Sequence, residues 1–193
     1  MTHQIKRNIL ILLGAVSLSA CGHSPQTRFY TLDTAVAAPS MSAYAGPSIH
    51  LAAVKIPVVF DRPEIARDTG AAEISVDEFA HWGGSLDALL RNALQSDLVA
   101  ALPPGKLALD VADRQADTQE ISVNILAIRS TADGVAMDVV WTQGGKDAKD
   151  VLTSRSHMEH LSVAGSATTP AAYSQSLAAL IAQLAAAIEQ GVS

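Results

Sequence analysis

Gly83-Gly84-Ser85 is the part of this sequence that comes nearest to a nucleophilic catalytic site. An α/β-hydrolase holds its serine in a G-x-S-x-G turn, and this sequence has no such motif. A serine directly before a leucine-rich helical stripe is instead typical of a helix N-cap. We therefore predict a capping role for Ser85, and a hydrolase stays as the enzymatic alternative.

His157 and His160, with Glu159 between them, form the nearest approach to a metal-binding motif. Residues three apart on a strand point to opposite faces, so these two rings would not meet at one ion. Asp61 and Arg62 lack an evident partner for acid–base chemistry, and no glycine-rich loop is suited to cradle phosphate. The sequence predicts no catalytic residues, no metal site and no enzymatic activity.

Cys21 is the single cysteine, and its surroundings predict that it carries a lipid. It closes the stretch Leu18-Ser19-Ala20-Cys21, which has the aliphatic and small residues of a lipobox. Upstream, Lys6, Arg7 and the apolar run Ile9–Val16 have the form of a signal peptide. That run is far shorter than the ~20 apolar residues that span a bilayer. An ordinary secretory signal cut near a cysteine is the alternative.

This interpretation divides the chain into three parts. Residues 1–20 are a signal peptide that is removed, residues 21–27 are the lipidated cysteine with a short polar tether, and residues 28–193 are a single domain. The predicted attachments are the covalent diacylglycerol and N-acyl chain on Cys21, with no cofactor. Six or seven extended residues reach only about 20 Å, so the domain is expected close to the membrane surface.

Gly22 bears on which membrane holds the protein. Aspartate at the position after the lipidated cysteine commonly retains lipoproteins in the inner membrane of enteric-type bacteria, and glycine stands here instead. The sequence therefore favours the periplasmic face of the outer membrane, and inner-membrane anchoring is the alternative.

The charge of the mature chain narrows the choice of partners. Lys6 and Arg7 leave with the signal, so 11 of the 13 basic residues remain against 19 acidic ones, a formal charge of −8. An acidic domain repels phosphate backbones, which argues against nucleic acid as a partner. The same charge argues against a polybasic attachment to anionic lipid, so the acyl chains must hold the protein at the membrane.

The hydrophobic pattern predicts seven strands and two helices. One helical stripe runs from Leu86 to Ala101 with Pro103 as its stop, and a second runs from Tyr173 to Ile188 with Thr169 as its cap. We expect an α+β fold, a two-layer single domain with a mixed or antiparallel sheet and both helices on one face. The short turns predict an antiparallel meander from residue 106 to residue 163. The predicted strands cover residues 28–33, 49–59, 72–77, 106–111, 120–129, 135–142 and 151–163.

Two local patterns concern candidate contact residues. Asp61-Arg62-Pro63-Glu64 predicts a capped helical turn, because Asp61 can accept a free backbone N–H and Pro63 suits a first turn. Trp82 stands just before the first helix, where core packing is the favoured interpretation and contact with a partner is the alternative. Pro57 indicates that the second strand bulges, ends or lies at an edge.

Three blocks of this sequence resemble the ABC-type transport auxiliary lipoproteins of the paraquat-inducible protein C kind. They are Phe29-Tyr30-Thr31-Leu32 after the lipid cysteine, Val54-Lys55-Ile56-Pro57 running into Asp61-Arg62-Pro63-Glu64-Ile65, and His81-Trp82 followed by the striped helix that ends at Leu102-Pro103. The blocks occur in the family's order, and with the lipobox they cover residues 18–103.

The resemblance implies a non-enzymatic lipoprotein that works beside a transporter whose periplasmic MCE-domain subunit forms a lipid conduit. The hypothesis is an accessory subunit that moves phospholipid or other lipophiles and supports membrane integrity by docking that subunit at the outer membrane. The alternative is a structural envelope lipoprotein with no transporter. A homo-oligomer that matches a ring-shaped partner is left open. The residues predicted to contact partner or lipid are Phe60, Asp61, Arg62, Pro63 and Trp82.

Overall fold

The computed structural model describes residues 25–32, 40–70, 72–131, 134–144, 155–164 and 170–190. Within them, eight strands form one mixed sheet, and two α-helices pack on it and on each other. The predicted signal peptide, Cys21 and Thr169 lie outside the described residues, and the domain limits stay a prediction. The helices are α1 (Leu86–Ala101) and α2 (Pro170–Gln190), and the strands are β1 (Arg28–Tyr30), β2 (Ile49–Lys55), β3 (Glu64–Gly70), β4 (Glu73–Trp82), β5 (Leu107–Ala108), β6 (Gln119–Thr131), β7 (Gly134–Gly144) and β8 (Arg155–Ala164).

Strand β6 organises the sheet. One of its edges pairs antiparallel with β7, which pairs antiparallel with β8. Its other edge is shared, because β2 pairs parallel along its first half and β3 meets it at the pair Asp68 and Arg129. Beyond β3, the order continues through antiparallel β4 to parallel β1, and beyond β2 it ends at parallel β5. The predicted α+β fold with a mixed sheet is confirmed.

The predicted antiparallel meander is correct for β6, β7 and β8 and wrong for β5. Strand β5 pairs parallel with β2, with Ile49 opposite Leu107, and β6 begins on the other side of the same strand, with Ile49 opposite Gln119. Residues 109–118 are long enough to cross the end of β2, so β5 and β6 lie on either side of it. A tight turn there would have paired β5 with β6 instead.

One face of β6 carries the core, as its alternating pattern predicts. Ile121, Val123 and Ile125 are buried, and Asn124 is exposed between them. A β-bulge after Ile125 then shifts the register against β7, so Ile128 and not Ala127 continues the buried face.

The two helices cover this face with the residues that their periodicity indicated. Leu86, Leu90, Leu94 and Leu98 of α1 are buried, and Ala101 ends the helix before Leu102. Helix α2 buries Tyr173, Leu180, Ile181 and Leu184. The side chains of Leu177 and Ile188, predicted on the same stripe, lie outside the described set. Neither helix in the described part of the chain is long and apolar enough to cross a membrane.

The strand end that Pro57 indicated is confirmed, but the rest of the segment from Pro57 to Pro63 differs from the prediction. Strand β2 ends at Lys55, and Val58–Phe60 form a short 3-10 turn instead of continuing it. The predicted helical turn at 61–64 is wrong, since residues 61–63 form a bend that leads into β3. Strand β3 was not predicted, because Ile65 and Ala66 are both buried and break the alternation that marks a half-buried strand. Pairing with β4 supplies its stability.

Candidate functional site

A groove of about 350 Å³ lies where the start of β1, the bend before β3 and the link from β4 to α1 come together. These segments are the three blocks that mark the sequence, and they are far apart along the chain. The fold therefore brings to one place four of the five residues predicted to make contacts. The groove is lined by Phe29, Asp61, Arg62, Pro63, Trp82, Gly83, Gly84 and Ser85.

Backbone hydrogen bonds hold the three segments together. The N–H of Trp82 donates to the carbonyl oxygen of Pro63 at 2.7 Å, and the N–H of Gly83 donates to the carbonyl oxygen of Tyr30 at 2.7 Å. Strand β1 also pairs parallel with β4, with Phe29 opposite His81 and Tyr30 opposite Trp82. The shape of the groove is thus set by main-chain contacts, which do not depend on flexible side chains.

Trp82 belongs to both the groove and the core. Its side chain is 4% exposed, and its ring packs edge-on against Tyr173 of α2 with the ring centroids 5.2 Å apart. The Tyr173 hydroxyl donates a long, 3.4 Å hydrogen bond to the carbonyl oxygen of Ala66, and burial raises the pKa of Tyr173 to about 12. Trp82 therefore joins the groove to the layer between sheet and helix, as the core-packing interpretation expects.

Phe29 forms the exposed apolar part of the groove. It lies on β1, the edge strand of this side of the sheet, and 70% of its surface is exposed. Its ring meets that of His81 edge-on with the centroids 5.7 Å apart. The His81 Nε2 atom lies 3.1 Å from the carbonyl oxygen of Glu78, which fixes the imidazole against its own strand.

Asp61, Arg62 and Pro63 form the polar wall. The Arg62 Nε donates to Glu64 Oε2 at 2.9 Å, and this hydrogen bond lowers the pKa of the Glu64 carboxyl. Asp61 is exposed, and its backbone N–H donates to the carbonyl oxygen of Val58 at 3.1 Å, which closes the 3-10 turn. The wall carries charges of both signs within a few residues.

Phe60 is the predicted contact residue that does not line the groove. It is 4% exposed and belongs to the hydrophobic core, and its N–H donates to the carbonyl oxygen of Pro57. The aromatic ring therefore anchors the turn that precedes the polar wall. A sequence pattern cannot separate such an anchor from an exposed contact residue, because both are large and apolar.

Gly83, Gly84 and Ser85 complete the groove beside the start of α1. A methyl group at Gly83 would stand 3.3 Å from the carbonyl oxygen of Tyr30, so the small residue permits the close approach of β1. Ser85 occupies the N-cap position that the sequence predicts, with extended backbone angles, but its hydroxyl makes no capping hydrogen bond. The sequence does not predict Phe29, Gly83, Gly84 or Ser85 as contact residues, although each lies in or beside one of the three blocks that resemble the family.

The groove presents both apolar and charged side chains. Phe29 and Trp82 supply its aromatic part, Asp61 and Arg62 its charges, and Ser85 stands at the start of α1. Among the described residues, no three His, Cys, Asp or Glu side chains are grouped as a metal ion would require.

The family model of the ABC-type transport auxiliary lipoprotein component matches residues 30–189, which include every residue that lines the groove except Phe29. This chain belongs to that family. The lipoprotein therefore serves as an auxiliary component of an ABC-type transport system, and membership indicates a membrane-anchored place in the cell envelope. The resemblance seen in the three sequence blocks is confirmed.

Solved structures support the fold of this lipoprotein. One, a crystal structure of an uncharacterized protein, superposes with a TM-score of 0.58 at 17% identity and covers 88% of this chain and 100% of its own. Protein XCC0632 from Xanthomonas campestris, described as a member of the DUF330 family, superposes with a TM-score of 0.58 at 16% identity and covers 82% of this chain and 92% of its own. None of the curated proteins compared with the lipoprotein matches it.

Proposed function

We propose that this lipoprotein is a non-enzymatic accessory subunit of an MCE-type ABC transport system that moves phospholipid or other lipophiles across the envelope. Acyl chains on Cys21 hold it on the periplasmic face of the outer membrane. There it docks the periplasmic MCE-domain protein of the transporter, and membrane integrity depends on that contact.

The observation that carries this proposal is the convergence of the three sequence blocks on one groove. Two of them meet through the hydrogen bond from Trp82 to Pro63, and the first joins through the bond from Gly83 to Tyr30. The groove begins at Phe29, only eight residues after the predicted lipid anchor. A short anchor confines the groove to a thin layer at the membrane, which raises the effective concentration of even a weak contact.

Within the groove, we assign the partner contact to the polar wall. Asp61, Arg62 and Pro63 present charge and a rigid ring at the surface, and Arg62 keeps 40% of its side chain exposed beside Glu64. Trp82 and Phe60 are buried and support the wall from the core. The wall therefore supplies specificity, and the two aromatic residues supply its rigidity.

Co-purification tests this function. The lipidated protein is extracted from its own envelope in mild detergent, and MCE-domain proteins recovered with it are identified by mass spectrometry. Arg62→Ala is expected to lower the recovery several-fold without unfolding the chain. Arg129→Ala is the matched control, because the Arg129 side chain is exposed to a similar degree, at 43%, and also pairs with one carboxylate, that of Asp138 in the neighbouring strand.

The outcomes separate the two hypotheses. Equal recovery from both arginine variants would contradict the assignment of the wall. If the wild-type protein recovers no MCE-domain protein, and its deletion leaves envelope permeability unchanged, the structural alternative without a transporter replaces this proposal. The mass of the detergent-extracted protein tests the homo-oligomer in the same preparation.

A further inference from the structure

Three exposed apolar side chains lie in or next to the groove, on the side of the domain where the tether enters. Among the described residues, eight large apolar side chains are substantially exposed. Phe29 lines the groove. Val58 and Val59 directly precede the polar wall in the chain, and the carbonyl oxygen of Val58 accepts the N–H of Asp61. We call Phe29, Val58 and Val59 the apolar rim.

Val58 is the most exposed member of the apolar rim, at 88%. It is the first residue of the 3-10 turn, whose buried residue is Phe60, so the core fixes the turn while both valines face outward. Apolar patches that stay exposed at a rigid turn mark surfaces that contact a membrane, a protein or a ligand.

The charge around the apolar rim differs from that of the whole domain. Arg28 precedes Phe29 in the sequence, and Arg62 pairs with Glu64 next to Asp61, so these neighbours of the rim carry two charges of each sign, although the mature chain is strongly acidic. A balanced surface is not repelled by the anionic lipids of a bacterial membrane. The rest of the domain carries the excess of carboxylates.

The tether places this side of the domain next to the bilayer. Residues 25–27 are exposed and lead directly into β1, where Phe29 is the second residue. From the lipid on Cys21, six extended residues span about 20 Å at most, which is less than the width of a domain. The edge of the sheet at β1 is therefore the part of the fold that the anchor holds nearest to the membrane.

We propose that the apolar rim contacts the interfacial region of the bilayer that holds the acyl chains of Cys21, so that the groove opens at the boundary between membrane and periplasm. This inference rests on the lipid anchoring stated under the proposed function. The anchor supplies the affinity, and the rim fixes the orientation of the domain. The polar wall then faces the periplasm, where the transporter subunit reaches it.

The test uses the absence of other thiols in the chain. Cys21 is the single cysteine, and its thiol is consumed by the lipid, so Val58→Cys adds one reactive thiol to the lipidated protein. An environment-sensitive fluorophore is attached there, and the protein is reconstituted in phosphatidylethanolamine–phosphatidylglycerol vesicles. We expect a blue-shifted emission and quenching by lipids that carry a spin label at a shallow position.

Val111→Cys is the matched control. Val111 also begins a 3-10 turn and is 58% exposed, but it follows β5 at the opposite edge of the sheet. Its probe is expected to keep an aqueous spectrum and to resist quenching by the same lipids. A third variant, Phe29→Glu, is expected to weaken quenching at position 58 while the protein stays on the vesicles.

Each outcome bears on the inference separately from the proposed function. Equal responses of the two probes, quenched or unquenched, would overturn it, because the rim would then have no special orientation. An unquenched probe at position 58 that responds only when an MCE-domain protein is added would make the rim a protein contact instead. Loss of the protein from the vesicles would refute the anchor itself, and the co-purification result depends on no vesicle measurement.

Discussion

The backbone N–H of Trp82 donates a 2.7 Å hydrogen bond to the carbonyl oxygen of Pro63. Pro63 has no N–H of its own to give to the sheet, but its carbonyl oxygen accepts from the last residue of β4. The bond closes the β3–β4 pair just beyond the point where β4 bulges between Asp77 and His81. The bulge and this bond together aim Trp82 at the core and set the polar wall beside it.

Trp82→Ala is expected to lower the free energy of unfolding by about 3–5 kcal/mol, because it removes a buried ring and its edge-on contact with Tyr173. Trp82→Phe keeps an aromatic ring against Tyr173 and should lose clearly less. Urea unfolding followed by far-ultraviolet circular dichroism measures both. Similar small losses in the two variants would show that the ring does not support the fold.

Gly83→Ala and Gly84→Ala are expected to differ, although the two glycines are neighbours. A methyl group at Gly83 meets the backbone of Tyr30 at 3.3 Å, and the strand must move, which costs about 1 kcal/mol. At Gly84 the nearest atom is a Leu89 side-chain carbon at 3.8 Å, an ordinary contact, so that variant stays within about 0.5 kcal/mol of the wild type. Thermal unfolding compares the two, and exchange of the backbone amide of residue 83, which donates to Tyr30, reports whether β1 has loosened. Equal stability of the two variants would show that the close approach of β1 does not limit the size of residue 83.

Alkaline unfolding tests the buried hydroxyl of Tyr173. Burial raises its pKa from 10.0 to about 12, so the hydroxyl stays neutral in the folded protein over a range in which the unfolded chain ionises. The stability that this group contributes is complete below pH 10 and is lost as the pH rises toward 12. Relative to Tyr173→Phe, the wild type should lose about 2 kcal/mol across that range.

At neutral pH, the Tyr173→Phe variant also measures what the loss of the hydroxyl group alone costs. It removes the 3.4 Å hydrogen bond to Ala66 and keeps the ring packing on Trp82, so the cost there is at most about 1 kcal/mol. Parallel pH profiles for the two proteins would contradict the raised pKa. The other titrating groups are common to both chains and cancel in the comparison.

Cys21→Ser is expected to abolish acylation and to release the protein from the membrane fraction. Detergent phase partition and intact mass measure the two effects directly. Gly22→Asp is the companion variant, because it leaves the lipid in place and is expected to move the protein to the inner membrane in an enteric-type host. Unchanged membrane binding of Cys21→Ser would disprove the lipobox, and unchanged sorting of Gly22→Asp would remove the argument for the outer membrane.

Local periodicity is enough to predict the elements whose burial follows it. The stripe from Leu86 to Ala101 predicts α1 correctly, and the alternation of Ile121, Val123 and Ile125 predicts the face of β6, because neighbouring residues alone decide which side of a helix or strand is apolar. The three blocks that indicated the family can likewise be recognised from the sequence alone.

The groove, in contrast, depends on long-range contacts of the fold. Phe29, Arg62 and Trp82 are brought together by β1–β4 pairing and by the hydrogen bond from Trp82 to Pro63, which join segments that no local pattern relates. Strand β3 could not be predicted from its own sequence pattern, because its pairing with β4 is what makes it a strand. Burial of Phe60 and exposure of Phe29 likewise follow from their places in the fold, because a phenylalanine in sequence does not state which side of the surface it will occupy.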